Sequence, residues 1–80
     1  MNIQLIQGEF NPGDALELIS KMIEQKIKYQ ENRISKYSSE EDIKYRESKI
    51  RYLQNELFEL SNYVHSSNKN MKIEAIIKIE

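Results

Sequence analysis

His65 is the one histidine of this 80-residue chain, and there is no cysteine. The side chains that most often serve as general base, thiolate nucleophile or metal ligand are therefore nearly missing. His65 falls at the end of a helical stretch, where a polar or cationic group helps to satisfy unpaired backbone carbonyls. No second histidine stands near it in the sequence, so no metal and no cofactor is expected. Acids are plentiful but committed elsewhere. Glu17/Lys21, Glu24/Lys28, Glu40/Lys44, Asp42/Arg46 and Glu47/Arg51 each stand four apart with the acid first. Such pairs support a helix by about 0.2–0.5 kcal/mol each and read as solvated surface. A paired-carboxylate catalyst needs two acids converging on a desolvated cleft, and nothing marks out two. The stretch from Gly8 to Gly13 lacks the glycine spacing and Lys-Ser/Thr ending of a phosphate-binding loop. No serine lies in a nucleophile-elbow context. The expectation is a protein that is not an enzyme and has no catalytic residue.

Two sets of residues remain as candidates for binding. Tyr45, Tyr52 and Tyr63 project within about 20° of one another on a helix, on the side expected to lie opposite its apolar seam. They form a candidate surface for a partner protein. The second set is basic. Between Lys21 and Tyr52 nine basic residues face six acidic ones, with Tyr29, Tyr37 and Tyr45 interleaved. Arg33, Lys36 and Lys44 are the candidate contacts if the protein is a nucleic-acid-binding accessory factor, since cations meet phosphates and tyrosines stack on bases. Glu40, Glu41 and Asp42 sit at the same place and oppose that reading. No recognition-helix, RRM or KH signature is present either.

The elements that would carry these residues can be read from periodicity. Residues 2–7 form a short strand, with Ile3 and Leu5 on one face and Ile6 with Gln4 on the other. Gly8 weakens it, and Asn11-Pro12-Gly13-Asp14 ends it with a helix cap. Leu16, Ile19, Ile23, Ile27 and Ile34 then recur at helical spacing over residues 12–37. Ser38 and Ser39 interrupt the run and can cap a second helix over 39–66. In it Ile43, Ile50, Leu57 and Val64 fall seven apart, with Leu53 and Leu60 in the complementary coiled-coil position and Arg46 as the one break. Ser66 to Asn70 is a polar stop. Residues 71–80 alternate as a strand, with Met71, Ile73, Ala75, Ile77 and Ile79 on one face and Ile76 as the exception on the other. The expected fold is therefore α+β: a long antiparallel helical hairpin flanked by N- and C-terminal strands (β-α-α-β) that pair antiparallel, in a single domain spanning residues 1–80.

Twelve basic residues against thirteen acidic ones leave no basic excess of the kind that marks most nucleic-acid-binding domains. No stretch approaches a membrane span, and the N-terminus lacks the layout of a signal peptide. The chain is read as complete and cytoplasmic. A domain this short has a marginal core, an isolated two-stranded sheet is marginal in water, and a regular edge strand invites pairing. A homodimer, with Leu18, Met22, Tyr29, Ile73 and Ile77 as candidate contacts, is the expected remedy. The functional expectation is a small, non-catalytic protein-protein interaction or oligomerisation module whose other partner is unknown.

Overall fold

A computed structural model describes residues 1–80. The order is strand, helix, helix, strand: β1 (Asn2–Phe10), α1 (Pro12–Asn32), α2 (Glu40–His65) and β2 (Met71–Lys78). The two strands pair antiparallel in one sheet, and the helices form an antiparallel hairpin between them. The fold is the expected α+β arrangement.

Helix α1 begins where the local chemistry requires it to. The Asn11 side chain accepts from the Asp14 backbone N–H at 2.8 Å and donates to the Asp14 carboxylate at 3.1 Å. This reciprocal pair satisfies a free donor of the first turn, with Pro12 pre-set behind it. The helix stops at Asn32 rather than continuing to Tyr37. The serines are the reason. Ser38 Oγ accepts from the Ser35 backbone N–H, and Ser35 Oγ accepts from that of Tyr37, so the segment folds on its own side chains instead of extending the helix. Ser39 then caps α2 by accepting from the Asp42 N–H at 3.1 Å.

Strand β1 is longer than expected and carries a β-bulge. Its register runs Ile3↔Ile77 and Gln4↔Ile76, then skips Leu5 and resumes at Ile6↔Ala75. One extra residue reverses the alternation. Ile3 and Ile6 therefore share a face, and Ile6 does not lie with Gln4 as plain alternation predicts. That shared face continues through Gly8↔Ile73 and Phe10↔Met71. Ile6 is buried on it, and Met71, Ile73 and Ala75 are half-buried. Gly8 does not end the strand. It holds φ at +147°, a region where any side chain is strained, and the ladder passes through it to Phe10.

Inside the hairpin, Leu53 and Val64 of the heptad seam are buried, and Ile43, Ile50, Leu57 and Leu60 are half-buried. Arg46, the break in the seam, meets Gln30 across the hairpin. Its Nη1 donates to Gln30 Oε1 at 2.8 Å, and its Nε lies 3.6 Å from the Asp42 carboxylate. A single polar layer of this kind fixes the register of two helices.

The molecule is thin. Its Cα envelope measures 46 × 34 × 13 Å, with a radius of gyration of 15.4 Å, against about 12 Å for a compact chain of this length. Two helices side by side span only about 15 Å, so the sheet reaches outward from the hairpin. Its backbone approaches that of α1, whereas no Cα of α2 lies within 8 Å of either strand. Only Ile6, Ala15, Leu53 and Val64 are buried. No helix is long and apolar enough to cross a membrane.

Candidate interaction face

The three tyrosines of α2 do not point directly away from its seam. Tyr52 and Leu53 are neighbours in sequence, so their side chains diverge by about 100°, and the tyrosine line flanks the groove between the helices. Toward the hairpin tip, Tyr45 and Tyr52 line this groove with Ser48, Lys49 and Leu53, facing Lys26 and Gln30 of α1. Toward the base, Tyr63 lines it with Glu56, Glu59 and Leu60, facing Ile19 and Ile23. Every one of the three rings is more than half exposed.

Helical spacing joins these residues into one line. Tyr45, Lys49, Tyr52, Glu56, Glu59 and Tyr63 follow at intervals of four, three, four, three and four, the intervals of a second heptad seam. On α1, Ile19, Ile23, Lys26 and Gln30 do the same. The charges along the groove are segregated. Lys26 and Lys49 lie in the tip half, and Glu56 and Glu59 lie in the base half. Lys49 Nζ stands 5.1 Å from the centre of the Tyr45 ring and Arg46 Cζ 5.9 Å from it, a cation–π arrangement. The Glu56 carboxylate acts on the Tyr52 phenol one turn away. With smaller contributions from desolvation and Glu59, it raises the phenol above its ordinary value because the neutral form is favoured. Reading the tyrosines alone missed the charged members of the line. Their alternating three-and-four spacing is the signal that finds them.

The remaining candidate residues lie apart from this face. Leu18 and Met22 are half-buried and Tyr29 is exposed, about 100° around α1 from the Ile19–Ile23 line. Leu18 faces a shallow depression with Phe10, Asp14, Glu17 and Lys21. Ile73 is half-buried beside Ile19, Leu60 and Tyr63 at the base of the hairpin. Ile77 is exposed on the outlying part of the sheet. Arg33, Lys36 and Lys44 are all exposed at the tip. There Arg33 lies 5.8 Å from the Tyr29 ring and Lys36 5.1 Å from that of Tyr37. His65 is exposed in the last turn of α2. No protein-family model matches the sequence, and neither the curated proteins nor the solved structures show a significant likeness to it.

Proposed function

We propose that this protein is a non-catalytic interaction module that works as a self-associated pair and presents its remaining helix surface to another protein. One observation carries the reading. The single chain exposes 6578 Å², whereas a folded monomer of 9.6 kDa exposes about 5,100 Å². The excess, about 1,500 Å² per chain, lies within the range that each partner buries in an obligate dimer. A cytoplasmic setting belongs to the same reading, and the absence of cysteine is compatible with a reducing compartment. Sedimentation equilibrium across a hundredfold dilution in the micromolar range tests it. Twice the chain mass is expected, and a clean monomer throughout would remove the proposal.

A second reading, a nucleic-acid-binding accessory protein, draws support from the exposed tip, where Arg33 and Lys36 sit over tyrosine rings. It requires a labelled oligonucleotide to bind in dilute salt and to be released steeply as salt rises. Undetectable binding in dilute salt would end it.

A further inference from the structure

The line of residues on α2 is complementary to its own reverse. Counted from Gln54, Tyr45 lies nine positions before and Tyr63 nine after, Lys49 five before and Glu59 five after, and Tyr52 two before and Glu56 two after. Turning a second α2 end for end and laying it against the first therefore matches tyrosine with tyrosine, cation with anion, and phenol with carboxylate. Helix α1 follows the same centre. Its Ile19 and Ile23 lie level with the acidic half of α2, and its Lys26 and Gln30 lie level with the basic half. The same turn brings Lys26 toward the half in which the second copy carries Glu56 and Glu59.

We propose that two copies of this chain stack face to face through the tyrosine groove, α2 antiparallel to α2, about a twofold axis that crosses the hairpin near position 54. The inference rests on the self-association reading and names its surface, its partner and its register. The occupant is a second copy because the α2 line is isologous, each of its members finding its complement on an identical helix. The excess area is also of the size a second copy would cover. Charge selects among the twofold arrangements. An axis running along the helices would instead lay α1 over α2 of the second copy at equal height and set Lys26 against Lys49. The end-for-end arrangement removes that repulsion. Tyrosines suit a face that is wet in the single chain and dry in the pair, having an apolar body and a polar tip.

Charge reversal is the test. Lys49→Glu and Glu59→Lys each place like charges together twice per dimer, and each should weaken association roughly tenfold. The double variant K49E/E59K should recover most of the loss. Sedimentation equilibrium reads the mass, with far-UV circular dichroism checking that the helices remain. As a second measurement, Tyr45→Cys and Tyr63→Cys are made in separate chains, which have no other cysteine. A short bifunctional maleimide should join the two chains when mixed. It should not join either variant to itself, because like positions would lie about 27 Å apart along antiparallel helices. A wild-type dimer that is indifferent to the reversals, or that cross-links Tyr45→Cys to itself, would overturn this interface and leave self-association standing. A wild-type monomer would overturn both.

Discussion

Helix α2 carries two heptad lines about a quarter turn apart, and they differ in almost everything except spacing. The first, from Ile43 through Leu53 to Val64, is aliphatic apart from Arg46 and is closed by α1 of the same chain. The second, from Tyr45 through Tyr52 to Tyr63, alternates phenols with charges and is open. Periodicity states that a face is to be covered, and residue type states how permanently. Leucine and isoleucine seal a contact formed once, on folding. Tyrosine, lysine and glutamate tolerate water until a partner arrives.

The comparison can be broken most forcefully at Leu53. Leu53→Ala should cost about 2–5 kcal/mol, read from the urea midpoint, because this side chain is only 5% exposed. A cost below about 1 kcal/mol would mean that the aliphatic line does not hold the hairpin together. The polar layer sharpens the contrast with a smaller effect. Replacing both members, Gln30→Leu with Arg46→Leu, should be neutral or raise stability by about 1 kcal/mol, since a half-buried polar pair sets register more than it stabilises. A clear loss in the same urea titration would show that the pair contributes stability in its own right. The smallest effect concerns Tyr52. Its phenol should ionise above the ordinary tyrosine value, and Glu56→Gln should bring it down toward about pH 10. Any stabilisation linked to the shift is complete below the unfolded-state value and is lost as pH rises through the folded one. Phenolate absorbance follows this directly, and a Glu56→Gln titration curve that superimposes on the wild-type curve would contradict it.

Much of the architecture was legible because it follows from periodicity. The alternation of Met71–Ile79 and the sevenfold spacing of Ile43, Ile50, Leu57 and Val64 are local patterns that translate into a strand and a helix without knowledge of neighbours. Three features depend on context and were not legible. The bulge at Leu5 arises from how β1 registers against β2. The end of α1 is decided by Ser35 and Ser38 bonding to nearby backbone, which competes with a helical signal that Ile34 still carries. The tyrosine line was visible, and its charged members share its spacing, but the direction in which the line faces depends on where α1 sits.

The bulge at Leu5 and the left-handed glycine at position 8 have one more effect. Two identical molecules that adhere through flat sheet rims can recruit a third and a fourth without limit, which is how fibrils grow. Here the first strand has a kinked, irregular rim that gives a newcomer no even ladder to extend. Growth in that direction is interrupted, so the geometry favours a finite assembly over an endless ribbon.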